Sequence, residues 1–128
     1  MGFRASQAHA DGARLNAAIA RAVVRTHAEH VGRGQKKAFA FHHDNIVVVV
    51  LEDTMSRAEQ VLVRNGGGDA LLQLRTAFHD DMRSDLVGAV ELLTGGTVTT
   101  LLSDCTLEPD VSVELFLLDG PVSADGPR

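Results

Sequence analysis

Six histidines, a single cysteine and a Ser-Asp-Cys triplet are the residues of this 128-residue chain whose types could do chemistry. His27 and His30 stand three apart, a spacing that puts two side chains on one helix face as a ligand pair requires. His42-His43-Asp44 and His79-Asp80-Asp81 set imidazoles beside carboxylates, a pairing that suits metal ligation or proton sensing. A structural zinc, however, takes four Cys or His ligands at tight spacing, and one cysteine with scattered histidines supplies no such set. Neighbours such as His42 and His43 also point to opposite sides of a strand, which prevents them from chelating one ion together. The histidines are therefore expected at the surface or in packing, with no metal and no cofactor.

Ser103-Asp104-Cys105 could hold a nucleophile, but no base and orienter stand in a defined relation to it. Apolar runs flank the triplet, so it reads as a hairpin turn whose Ser and Asp side chains bond nearby backbone N–H groups. Pro109-Asp110 opens the next strand in the same way. Gly66-Gly67-Gly68 before a helix could present free N–H groups to an anion. No parallel strand precedes it and no Lys-Ser/Thr follows, so a joint between two helices is the expectation. No catalytic residue is assigned.

Arg75 is the sharper candidate. It interrupts an apolar stripe between Leu74 and Phe78, where a buried charge needs a partner. That partner is either a carboxylate (Glu59, Asp104 or Glu114) or a bound anion or carboxylate ligand. The candidate ligand-binding set is Arg75 and Asp104, with His43 and Asp44 at the other polar turn.

The elements that must position these residues follow from periodicity. Leu15, Ala18, Ile19, Ala22, Val23 and Val31 keep helical spacing from Ala13 to about Val31, with Asp11 as N-cap and Gly32 or Gly34 as stop. Strands at 37–42 and 46–52 flank His43-Asp44-Asn45. Thr54 or Ser56 caps a short helix, and Glu59 completes a capping box with Ser56. A longer helix over 69–93 buries Leu71, Leu74, Phe78, Met82, Leu86 and Val90. It exposes Asp80, Asp81, Arg83 and Asp85 as a solvated face. Strands at 97–103 and 111–118 follow the Thr94-Gly95-Gly96 stop.

Helix–hairpin therefore occurs twice, and the expected fold is α/β of the α+β kind. Two α-β-β units form one four-stranded antiparallel sheet with the helices packed on it. Residues 1–12 are expected as a flexible arm, 13–119 as a single domain and 120–128 as a disordered tail. Ile46–Leu51 and Leu115–Leu118 are apolar at every position, so both sheet faces want cover. One chain carries helix enough for one face, and a homodimer or higher oligomer is the economical cover for the other.

Twelve basic against seventeen acidic residues give a net charge of −5, which disfavours nucleic acid and anionic membrane surfaces. The two lysines, Lys36 and Lys37, stand together beside Arg33, too short a basic run to change that balance. The lone cysteine fits a reducing cytoplasm. The longest apolar run is strand-length, so direct membrane insertion is not expected and any membrane link goes through a partner.

The order "GRG" at 32–34, Asp44, "LEDTMSRAEQVLVRNG" at 51–66, Arg75, "VELLTG" at 90–95, Ser103-Asp104, Pro109-Asp110 and "VELFLL" at 113–118 resembles the MpsC-like family. That bacterial family is named for a component of a sodium-translocating, membrane-potential-generating system. The resemblance covers about residues 13–119 and departs at Gln35, where proline is common, and at Gly96, where arginine is common. It implies small, soluble, oligomeric proteins associated with cation or bicarbonate handling at a membrane, and it carries over no active site. Three functions follow in order: a non-enzymatic accessory or regulatory protein of such a transport system, a small-ligand or ion-binding sensor using Arg75 and the turn residues, and last a small enzyme.

Overall fold

A computed structural model describes residues 2–32 and 37–123. Its elements are α1 (Gly2–Val31), β1 (Lys37–His43), β2 (Ile46–Glu52), α2 (Arg57–Arg64), α3 (Gly68–Thr94), β3 (Val98–Thr106) and β4 (Val111–Leu118). The strands make one antiparallel sheet in the order β1-β2-β4-β3, so the two hairpins join through their second strands. This is the expected α+β fold of two α-β-β units. The residues 33–36 singled out in the sequence, Gln35 and Lys36 among them, lie outside the described residues, as do tail residues 124–128.

Local chemistry sets the boundaries. Gly32 ends α1 with φ 100°, and Gly95 ends α3 with φ 75°, a left-handed backbone that a side chain would strain. Ser56 and Glu59 form the expected capping box. The Glu59 N–H donates to Ser56 Oγ at 3.2 Å, and the Ser56 N–H donates to Glu59 Oε1 at 2.8 Å.

Three expectations change. α1 begins at Gly2, so the backbone is helical through residues 2–12 where an arm was expected. Ser103-Asp104-Cys105 is not the turn. It lies within β3, with Ser103 opposite Glu114 and Cys105 opposite Ser112, and the chain reverses over residues 107–110. Polarity here marks a patch on one sheet face and not the end of a strand. Leu74 is 49% exposed and leaves the α3 stripe. The buried line descends through Leu71, Arg75, His79, Met82, Leu86 and Val90, by steps of four and three, so two polar residues take positions expected of Leu74 and Phe78.

The helices cover one face of the sheet. Val47, Val49, Leu51, Leu101, Phe116 and Leu118 point inward, against Leu15, Ile19 and Val23 of α1 and Met82, Leu86 and Val90 of α3. On the other face the paired register sets Phe41, Val48, Leu115 and Leu102 in one row. Phe39, Val50 and Val113 form the next row, and Ile46 and Leu117 a third. Phe39, Phe41 and Leu102 are 50%, 48% and 57% exposed, so among the described residues nothing covers this face.

Phe116 is fully buried at the centre of the core. Phe116→Ala should lower unfolding free energy by about 3–5 kcal/mol in urea titrations, with an unchanged m-value.

Candidate functional site

Below the apolar core the inner sheet face turns polar. Strand alternation brings Ser112 and Glu114 of β4 inward, and the register sets Cys105 and Ser103 of β3 beside them. Helix α3 answers with Arg75 and His79, one turn apart, and with Thr76 next to Arg75, and α1 brings His27. Polar side chains facing one another across these elements do not interdigitate as a hydrophobic core does. A cavity of about 560 Å³ opens between them.

Glu114 is the deepest of these groups, at 2% exposure. His79 Nε2 lies 2.8 Å from its Oε2, and the Ser103 hydroxyl donates to the same oxygen at close range. Ser103 Oγ also lies 2.6 Å from His79 Nε2, closing a triangle of three polar atoms. His27 Nε2 stands 3.5 Å from Oε1, without the geometry of a hydrogen bond. Burial pushes the Glu114 carboxyl upward, but the neighbouring His27, His79 and Ser103 outweigh it and hold the group below its usual range.

The triangle is not a nucleophile relay. In a serine triad the base takes the hydroxyl proton at one ring nitrogen while the carboxylate holds the other. Here serine and carboxylate compete for the same His79 nitrogen. Burial raises the Cys105 thiol above its ordinary range, which keeps it protonated and weakly nucleophilic at neutral pH. Among the described residues no group of three or more His, Cys, Asp or Glu is placed to hold a metal ion.

Of the three carboxylates expected, Arg75 pairs with Glu59. Its Nη2 donates to Glu59 Oε2 at 3.3 Å and its Nη1 to Thr54 Oγ1 at 2.8 Å. The Thr54 hydroxyl in turn donates to Asp110 Oδ1 at 2.7 Å, and Asp110 Oδ2 accepts from Met55 N–H at 2.8 Å. Glu59 thus serves the cap of α2 with one oxygen and the guanidinium with the other. The Arg75 Nε–H is buried with no partner.

The candidate set of four divides. Arg75 and Asp104 both line the cavity, Asp104 as an exposed residue whose Oδ1 accepts from the Cys105 N–H at 2.8 Å. His43 and Asp44 do not line it. They sit at the β1–β2 turn, at the other end of β2 from Thr54, where the Asp44 carbonyl accepts from Val122 N–H at 2.7 Å. Gly96, the site of the missing arginine, packs against Leu118 and is likewise off the cavity. The sequence reading missed the convergence of His27, His79, Ser103 and Glu114. Its one signal is parity: in Val111–Leu118, Ser112 and Glu114 share a face with Phe116 and Leu118, which cannot face water.

His30 does other work. Its Nε2 lies 2.9 Å from Asp85 and its Nδ1 3.3 Å from Asp81, joining α1 to the acidic face of α3. The hydrogen bond to Asp85, aided by Asp81, holds the imidazolium above its ordinary 6.5.

A protein-family profile described as "Na+-translocating membrane potential-generating system (MpsC)" matches residues 12–120, most of the chain. The chain belongs to the MpsC family. No curated protein and no solved structure matches it. The family description ties MpsC chains to a sodium-translocating membrane system, and among the described residues no helix of this one is long and apolar enough to cross a membrane.

Two pH effects follow from the site. A raised imidazole stabilises the fold below its unfolded value of 6.5 and loses that contribution as pH rises through the folded value. His30→Ala should therefore lower Tm more at pH 6 than at pH 9. A depressed carboxyl contributes above 4.5 and loses the contribution as pH falls through its folded value. Glu114→Gln should flatten the acid limb of the Tm-versus-pH curve relative to the parent.

Proposed function

We propose that this MpsC-family chain is a non-enzymatic accessory or regulatory subunit of a membrane cation or bicarbonate transport system, acting in the cytoplasm as a homodimer. The bare apolar sheet face carries the reading. Its inner rows are apolar except at the β3 edge, where Asp104 stands opposite Val113, and Lys37 and Glu52 appear in its outermost row. Each large apolar side chain left in water forgoes about 1.5–3 kcal/mol of burial. Soluble monomers rarely expose so large a contiguous patch.

A second copy is the occupant that this face fits. A surface whose centre is apolar can meet its own copy about a two-fold axis, with the edge Asp104 left at the rim, and two such sheets stack at about 10 Å with their side chains interleaved. The non-enzymatic part rests on the polar cluster. Its serine and carboxylate share one histidine nitrogen and its thiol is held protonated, so neither is an activated nucleophile. The link to transport rests on the family to which the chain belongs.

Sedimentation equilibrium at micromolar concentration should give twice the 13.6 kDa chain mass for the parent. Leu115→Lys, which charges the middle of the outer face, should give the single-chain mass with unchanged far-UV circular dichroism. A parent that sediments only as one chain overturns the dimer. Sodium uptake by vesicles from cells with the chain deleted should change, and should recover with the parent but not with Leu115→Lys. Uptake indifferent to the deletion overturns the accessory role.

A further inference from the structure

The cavity wall holds hydrogen-bonding capacity that the fold leaves unused. His27 is 7% exposed, and its Nε2 makes no hydrogen bond, standing 3.5 Å from Glu114 Oε1. Arg75 spends two nitrogens on Thr54 and Glu59 and leaves its buried Nε–H idle. A buried polar group that makes no hydrogen bond is costly to the fold, so two such groups lining one cavity favour an occupant.

The chemistry of the idle groups says what kind. An arginine Nε–H can only donate, and His27 donates from Nε2 when the proton sits there. Both call for an acceptor. Of the carboxylates lining the cavity, Glu114 is engaged by His79 and Ser103 and Asp104 by the Cys105 N–H, while Asp80 stands at an exposed position of α3. The wall also sets a limit on charge. Asp80, Asp104 and Glu114 line the space with two guanidiniums, Arg75 and Arg83, so repulsion grows with the charge of an anion and penalises a doubly charged inorganic one more than a monocarboxylate. Val31, Leu72, Met82 and Leu101 supply an apolar side to the same space. A volume of about 560 Å³ lies within the range of small-molecule sites.

We propose that the cavity between α3 and the β3–β4 hairpin binds a small monocarboxylic acid. Its carboxylate is held by the Arg75 Nε–H and His27 Nε2, and its apolar body lies on Leu72, Met82 and Leu101. Nothing in this depends on the accessory role or on the dimer. The site uses Arg75 from the sequence-level candidates but replaces the hairpin-turn residues with His27.

Sodium hexanoate is the test probe, titrated into the full ¹⁵N-labelled chain, with hexylammonium chloride and sodium phosphate as controls. Hexanoate should shift the backbone amides of Thr76, His79 and Cys105 saturably, and neither control should. Arg75→Lys keeps a cation but removes the guanidinium Nε–H, and should weaken hexanoate by about tenfold or more. Thr76→Phe, at an exposed position of α3 on the cavity wall, fills the space without touching the core and should abolish the shifts. This second variant decides the matter if Arg75→Lys does not fold. The proposal is overturned by absence of saturable shifts at these amides, by phosphate or hexylammonium binding as tightly as hexanoate, or by undiminished binding in either folded variant.

Discussion

A carboxylate on a central strand, almost wholly out of water, is the constraint around which the rest of this molecule is arranged. Removing a charge from water costs several kcal/mol even after relaxation, so Glu114 is tolerable only with partners in place. Those partners come from three other elements: His27 from α1, His79 from α3 and Ser103 from β3. Each must arrive with its backbone in register, so one side chain fixes two helices and an edge strand against the sheet. The same demand makes two turns of α3 polar on their buried side, and it is those turns that stand off from the sheet and leave the cavity.

A second network closes the end of the cavity nearest α2. Arg75, Thr54 and Asp110 run in sequence from α3 across the segment after β2 to the turn before β4, and Glu59 ties the start of α2 into it. The bonds to the guanidinium and to ionised Asp110 are charge-assisted and stronger than neutral ones. Helix α2 has no buried residue of its own, so this network and its capping box hold it where packing does not.

Much of the fold was legible because the signals are local. The capping box at Ser56, the glycine stops at Gly32 and Gly95, and the uninterrupted apolar run Ile46–Leu51 each specify a boundary or a strand without reference to the rest of the chain. The errors fall where a polar residue faces inward. Ser103-Asp104-Cys105 reads as a turn because polarity between apolar runs usually marks solvent, and Leu74 reads as core because it keeps helical spacing with Leu71 and Phe78. Arg75 was placed near the core from its interruption of the stripe, and Glu59 stood among its expected partners. Glu114 was also among them, but pairing it instead with His27 and His79 requires knowing which turns of α1 and α3 lie over β4. Residues 27, 79, 103 and 114 are brought together by tertiary packing alone, and no spacing rule along the chain encodes that. His43 and Asp44 entered the candidate set as a polar turn, and the strand length between that turn and Thr54 keeps them away from Arg75.

The two α-β-β units have the same order of elements but have not kept the same duties. The first presents Val47, Val49 and Leu51 inward, beside the small Ala38 and Ala40, with His42 bound to Asn16 of α1 as its one polar inward group, and is committed mainly to packing. The second keeps apolar residues at Leu101, Phe116 and Leu118 and gives the other end of its inner face to serine, cysteine and glutamate. A duplicated motif thus separates robustness from novelty. Substitutions in the first hairpin are felt by the whole domain. Around the fixed Glu114, the open end of the second can change its remaining side chains, and with them its chemistry, while its twin keeps the architecture standing.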